Sequence, residues 1–91
     1  MNHIKPASLD PSLATIWDEV VHQVRPATPL LAIEAICRQT AILRDCARRI
    51  VEEGTIVVDA KGNAQEHPAL RIERESAKQI REWLVIYAHR E

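Results

Sequence analysis

The chain has 91 residues, of which 46% are hydrophobic and 27% charged, and its formal net charge is −1. This length allows one domain, and the balance is typical of a globular protein rather than a disordered one. The near-neutral charge excludes a global basic field that attracts nucleic acid or membranes, so any DNA contact needs a local patch or another segment or subunit. The two glycines leave no glycine-rich phosphate loop, and no apolar run reaches the roughly 20 residues that span a bilayer.

Residues 1–8 have the composition of a flexible tail, and we expect a single helical domain over residues 9–91. No apolar stretch follows Lys5, so no signal peptide is visible and a cytoplasmic location is expected.

The first helix is predicted to begin at Asp10 and Pro11, which form an N-cap and first-turn pattern, and to end near Arg25. One apolar stripe at helical spacing supports it, comprising Leu13, Ile16, Trp17, Val20, Val21 and Val24.

The second helix is predicted over about 25 residues, with Thr28 as its cap, Pro29 at its first position and its end near Glu53. Apolar or small residues recur at steps of three and four, which is coiled-coil spacing, at Ile33, Ile36, Thr40, Leu43, Ala47 and Ile50. Further apolar residues lie outside this seam, so the helix needs more than one partner surface.

A short β-hairpin is predicted next. Gly54 suits the positive φ of a helix C-terminus, and the β-branched residues 55–58 favour a strand. Residues 59–63 carry turn chemistry, including Gly62. The third helix then begins at Pro68, with His67 as a turn or cap residue before it.

The third helix is predicted to run over residues 68–89, again with apolar positions at steps of three and four. The expected fold class is mainly α: three helices with a long antiparallel helical hairpin, a short β-hairpin between helices two and three, and the first helix across one side. Surplus apolar surface predicts a homo-oligomer, with interface candidates Leu30, Ile42, Trp83, Leu84 and Ile86.

A basic ridge on the third helix is the candidate nucleic-acid contact, and it comprises Arg71, Arg74, Lys78 and Arg81. Basic residues at this helical spacing can form a row of phosphate contacts. The alternative, which is common on exposed helices, is a solvated face held by ion pairs to neighbouring glutamates.

No catalytic, metal or cofactor site is predicted. Cys37 and Cys46 lie nine residues apart in one helix, hence on opposite faces, and are expected to be buried, reduced thiols. The four histidines are scattered, and none has a His or Cys at the i+3 or i+4 spacing of two ligands. No serine lies in a nucleophile motif, so a binding or assembly protein is expected rather than an enzyme.

Residues 9–88 resemble the phage terminase small subunit family. The resemblance depends on a helix with a central Trp17, on a second helix that ends in a glycine, on a short hairpin with its own glycine, and on a His-Pro-Ala start of a long amphipathic helix. The matching positions are Gly54, Gly62, His67, Pro68, Ala69, Ala77 and Ile80.

The resemblance implies a non-enzymatic subunit of a phage or prophage DNA-packaging motor that acts in the host cell. Such subunits form oligomers, including rings, recognise viral double-stranded DNA and pass it to the terminase large subunit. The family often has a basic lead-in and a basic segment after the last helix. Here the lead-in is reduced to Lys5-Pro6, and residues 86–91 lack that segment, so assembly is the better supported part of the implied role. The alternative hypothesis is a small helical protein–protein interaction module with no nucleic-acid role.

Overall fold

The computed structural model describes residues 4–89, and predictions that concern residues 1–3 and 90–91 lie outside this range. Within it, a 3-10 turn over Pro11–Leu13 leads into three α-helices and one β-hairpin. In chain order these are α1 (Ala14–Gln23), α2 (Leu30–Glu53), β1 (Ile56–Val58), β2 (Ala64–Glu66) and α3 (Pro68–Tyr87). The predicted mainly helical fold, with a β-hairpin between the second and third helices, is confirmed.

The long helices α2 and α3 form an antiparallel hairpin and pack closely. The end of α3 returns to the segment before α2, where Val24 and Ala88 form an antiparallel β-bridge. The Arg25 N–H donates to the Tyr87 carbonyl at 2.8 Å, so the end of α3 is hydrogen-bonded to the segment between α1 and α2. The molecule is elongated, with extents of 55 × 28 × 17 Å. None of the helices in the described range combines the length and apolar character needed to cross a membrane.

Two of the predicted helix starts need correction. Asp10 Oδ1 accepts the Ser12 N–H at 2.9 Å, and this hydrogen bond lowers the pKa of the Asp10 carboxyl, but Asp10 caps the 3-10 turn and not an α-helix. Helix α1 itself begins only at Ala14, and its N-cap, Leu13, makes no side-chain capping hydrogen bond.

The predicted cap of α2 was wrong by one residue, because Pro29 is the N-cap rather than Thr28. Pro29 has an extended backbone, and its carbonyl already accepts the N–H groups of Ala32 and Ile33. The first helical hydrogen bonds therefore begin at the proline.

Both glycines adopt positive φ, as predicted. Gly54 ends α2 with φ 85° and ψ 166°, and its N–H donates to the Ile50 carbonyl at 2.8 Å. This ψ lies outside the left-handed helical region expected for a helix end and in a region that glycine almost alone occupies. Gly62, with φ 84°, closes the hairpin turn by donating to the Asp59 carbonyl at 3.0 Å.

The main core lies at the end of the helical hairpin that is remote from the β-hairpin. Its buried members come from α1, from Val24 just after it and from the first half of α2, and they are Ile16, Trp17, Val20, Val24, Ile33, Ile36 and Cys37. From α3, Trp83, Leu84 and Tyr87 pack against this cluster, with the Trp83 and Tyr87 rings stacked at 5.6 Å between centroids. Helix α1 therefore covers one end of the α2–α3 hairpin and leaves the other end without a third helix.

Candidate assembly and nucleic-acid surfaces

His67 joins three elements where α2, the β-hairpin and α3 meet. Its side chain is buried, and Nδ1 accepts the Ala69 N–H at 2.9 Å, which confirms the predicted cap of α3. Nε2 lies 3.2 Å from the Glu53 carboxylate at the end of α2. Because Nδ1 acts as an acceptor here, the proton of the neutral ring sits on Nε2 and is donated to Glu53. The His67 N–H also donates to the Thr55 carbonyl at 2.8 Å.

An open groove of about 650 Å³ lies beside His67, and we call it the hairpin groove. It is bounded by α2, β1 and the start of α3. Its apolar lining consists of Ala41, Ile42, Cys46, Val57, Pro68, Ala69 and Ile72, and its polar lining of Asp45, Arg49, Glu53 and His67. Within residues 4–89, no third helix covers this part of the helical hairpin, so Ile42 and Ile72 are 41% and 46% exposed. The groove is therefore an apolar surface that is open to a partner.

The five predicted interface residues divide into two groups. Leu30, Ile42 and Ile86 lie on the surface, and each is more than 40% exposed. Trp83 and Leu84 are half-buried against the main core, where they hold α1 and α3 together. The sequence places both residues on the apolar face of an amphipathic helix, but it does not show that α1 covers that face.

Sequence reasoning missed a second exposed apolar surface on the β-hairpin. Ile56 and Val58 are 60% and 68% exposed, and we call this pair the hairpin patch. Between them, Val57 is partly buried and lines the hairpin groove. Side chains alternate between the two faces of a strand, and applying that rule to residues 56–58 would have revealed the patch.

The basic ridge is partly neutralised by carboxylates. Arg71 Nε lies 3.2 Å from Glu75 on the same helix, and the Arg74 guanidinium lies 3.0 Å from Glu66 on β2. Lys78 and Arg81 are also exposed. The exposure of these residues and the ion pairs together show that all four ridge cations face solvent.

The two halves of the ridge differ in pairing. Within residues 4–89, no ion pair joins Lys78 or Arg81 to a carboxylate. The solvated-face interpretation therefore fits Arg71 and Arg74, whereas an ion pair neutralises neither Lys78 nor Arg81 in the described part of the chain.

More of the arginines on α2 than of the cations in the basic ridge form ion pairs with carboxylates. Asp45 lies 2.8 Å from Arg48 and 3.1 Å from Arg49. The hydrogen bond from Arg48 is the main reason that the pKa of Asp45 is lowered. Glu34 and Arg38, one turn apart on the same helix, form no ion pair within residues 4–89.

Both thiols are buried and free, as expected. Burial raises the pKa of Cys37 to about 11, and the Glu34 carboxylate adds to the shift, so this thiol is protonated at neutral pH. Cys46 lies in the wall of the hairpin groove. The described residues contain no group of three or more His, Cys, Asp or Glu side chains placed to hold a metal ion.

The fold and these surfaces define a class of protein: a small helical hairpin protein whose exposed apolar and basic surfaces are suited to binding. A family model described as phage terminase, small subunit, matches residues 14–86, from the first residue of α1 almost to the end of α3. The chain therefore belongs to the phage terminase small subunit family, and the resemblance in the sequence is confirmed. A search of curated proteins and a search of solved structures gave no match.

Family membership supports a small-subunit role in phage DNA packaging. The family is generally non-catalytic, and it implies association with the terminase large subunit and phage DNA.

Proposed function

We propose that this chain is an oligomeric DNA-recognition and motor-assembly module of a phage or prophage packaging terminase, without catalytic activity of its own. Its partners are other copies of itself, the terminase large subunit and viral double-stranded DNA. The observation that carries the proposal is the family match over residues 14–86, which includes all three helices and the β-hairpin.

The amount of exposed surface supports self-association. The chain exposes 6527 Å², whereas a compact monomer of 10.3 kDa exposes about 5,400 Å². Its radius of gyration is 16.0 Å, against about 12 Å for a compact domain of this length. The difference reflects an elongated hairpin with apolar side chains on its surface, which further copies can cover. Light scattering coupled to size exclusion tests this proposal, with a discrete oligomer as the expected result and a monomer as the contrary one.

The DNA part of the proposal depends on the basic ridge. Lys78 and Arg81 are expected to contact phosphates first, because neither has to leave a carboxylate. Arg71 and Arg74 contribute less, since each phosphate contact competes with Glu75 or Glu66. These ion pairs are exposed and worth at most about 1 kcal/mol, so DNA can displace them.

A salt titration with random-sequence duplex DNA tests this interface. We expect the change of Lys78 and Arg81 to Ala to reduce the slope of log K against log salt by about 2 per bound chain, because each lost phosphate contact removes about 0.9. The matched control changes Arg44 and Arg48 to Ala, which removes the same charge from α2, where Arg44 is paired with Glu19 and Arg48 with Asp45. An equal loss of slope in the control would show that binding depends on net charge and not on the ridge. An unchanged slope in the ridge variant would exclude Lys78 and Arg81 from the DNA interface.

The alternative, a protein–protein interaction module with no nucleic-acid role, is favoured by the net charge of −1 and by the paired arginines on α2. It predicts no retention on duplex DNA even at low salt, together with co-purification of one protein partner. Failure of the wild-type chain to bind DNA in the same titration would favour this alternative.

A further inference from the structure

We infer that the β-hairpin end is a head-to-tail interface between copies of this chain, in which the hairpin patch of one copy docks into the hairpin groove of the next. The inference rests on the proposed oligomer and specifies its contact surface. The patch consists of Ile56 and Val58, and the groove lies between α2, β1 and the start of α3.

The patch and the groove lie on opposite faces of the same short sheet. Val57 lines the groove, so its neighbours Ile56 and Val58 point away from it. Val58 pairs with Ala64 and Ile56 with Glu66 across the hairpin, so the outer face carries three apolar side chains and one carboxylate. That carboxylate is already paired with Arg74.

The groove has the shape and chemistry to receive such a patch. Its volume of about 650 Å³ lies within the range of roughly 300–1,000 Å³ found for clefts that bind drug-sized molecules, so two aliphatic side chains fit. Ile42 and Ile72 line it and are partly exposed. Asp45 and Arg49, which also line it, pair with each other at 3.1 Å, so they present no single charge to an apolar partner.

A second copy is the occupant that the surface area favours. Each partner in a standard protein interface buries about 800 Å². Over the whole chain, the exposed surface exceeds that of a compact monomer of its mass by about 1,100 Å², more than one partner buries in such an interface. Each copy also carries both an apolar patch and an apolar groove, so a second copy supplies the matching surface. A two-stranded hairpin is also marginally stable alone, and here Val57, on the inner face, is its only strand residue that is partly buried. Docking against another copy covers its outer face.

The placement of the two surfaces determines the symmetry of the contact. A twofold contact would need the patch and the groove to lie on the same side of one copy, so that each copy's patch meets the other's groove. Here they lie on opposite faces of the sheet, so a docked pair leaves one patch and one groove free at its ends. Each such contact adds one more copy. The copies form a closed ring if the rotation between neighbouring copies adds up to a full turn, and a filament if it does not. The arrangement therefore permits a closed ring of identical subunits.

The test begins with the mass of the full-length chain in solution by light scattering. The patch variant changes Ile56 and Val58 to Lys, and the groove variant changes Ile72 to Lys. All three side chains are at least 46% exposed, so folding is expected to persist, and circular dichroism checks it. We expect both variants to fall from the oligomer to the monomer mass of 10.3 kDa. A second patch variant with Thr at both positions keeps β-branched side chains, and its oligomer is expected to dissociate at higher concentration than the wild type.

The matched control changes Leu31 and Val85 to Lys. These residues lie at the other end of the α2–α3 helical hairpin and are 78% and 69% exposed. The control is expected to keep the oligomer. Dissociation of this control with retention of the oligomer by the patch variant would overturn the inference and move the interface to the other end.

Mixing the two variants tests the head-to-tail arrangement directly. The patch variant keeps an intact groove and the groove variant keeps an intact patch, so a mixture of the two monomers should form a dimer with one copy of each. Absence of this mixed dimer would overturn the arrangement. A wild-type monomer would overturn both the proposed oligomer and this inference, whereas a wild-type oligomer unaffected by both variants would overturn only the inference.

Discussion

The two ends of the helical hairpin are built differently. At one end, which we call the closed end, α1 covers α2 and α3 and buries an aliphatic and aromatic cluster around Trp17. At the hairpin end, no helix covers the corresponding surface, and the groove residues Ile42 and Ile72 stay partly exposed. The comparison teaches that the apolar surface that stabilises the chain and the apolar surface that is open to a partner lie towards opposite ends of the helical hairpin and adjoin at Ala41, which contacts the core and also lines the groove.

The connections at the two ends also differ in chemistry. The closed end is joined by backbone pairing between Val24 and Ala88 and by the Arg25 guanidinium, which donates to the Ile86 carbonyl. The hairpin end depends on a positive-φ glycine and on the imidazole of His67. Few buried apolar side chains support it, so we expect it to open locally at a lower free-energy cost than the closed end.

The largest expected effect is at the closed end. Trp17 is 2% exposed in the centre of the core, and Trp17→Ala should lower the free energy of unfolding by about 3–5 kcal/mol, because it removes a large buried side chain and leaves a cavity. Urea denaturation measures the loss. The comparison variant Ile72→Ala, in the hairpin groove, should cost less than half as much. Equal losses at the two positions would show that stability is not concentrated at the closed end.

A smaller effect is expected at Gly54, where α2 meets the β-hairpin. Gly54→Ala should cost about 1–3 kcal/mol, because φ 85° with ψ 166° is strained for any residue with a Cβ. An added Cβ would lie 3.8 Å from the Ile56 carbonyl oxygen, which is ordinary contact, so the loss reports backbone strain and no clash. The exposed neighbour Thr55 serves as the control, and its change to Ala should be nearly neutral in the same thermal unfolding experiment. A neutral Gly54→Ala variant would mean that the helix end relaxes to another conformation.

The smallest of these effects is expected at His67. His67→Ala removes the acceptor for the Ala69 N–H and should cost about 0.5–2 kcal/mol, the usual range for a lost helix cap. His67→Asn supplies a side-chain oxygen at the cap and should recover most of the loss. Hydrogen exchange at the Ala69 amide provides a local measurement, because it should speed up in the Ala variant and slow again in the Asn variant. If Asn restores neither stability nor protection, the contact with Glu53 matters more than the cap.

Several local features could be predicted because they depend on residues close together in the chain. The positive φ of Gly54 and Gly62 follows from the absence of a Cβ, and the His67 cap follows from its place before Pro68. The start of α2 was misplaced by one residue, because Thr28 and Pro29 both satisfy the pattern of a helix start, and only the geometry shows which carbonyl accepts the first helical hydrogen bonds.

The candidate surfaces were harder to predict because they depend on contacts between distant residues. Periodicity marks Trp83 and Leu84 as apolar, but it does not show that α1 will cover them. The charges of Arg71 and Arg74 look alike in sequence, yet Arg74 pairs with Glu66 on the β-hairpin, whereas Arg71 pairs within its own helix. The hairpin groove is lined by residues from α2, β1 and α3, so no pattern within one segment of the sequence predicts it.

The sequence by itself determined the three helices, the hairpin between them and the family to which the chain belongs, since helical spacing, turn residues and caps act over a few neighbouring positions. Only the tertiary structure decided which apolar faces are covered. Helix α1 has 10 residues, whereas α2 has 24, so it can cover only part of the long hairpin. The Val24–Ala88 bridge holds it at the closed end, and the hairpin end is left exposed because the chain has no further helix in its described part to bury it.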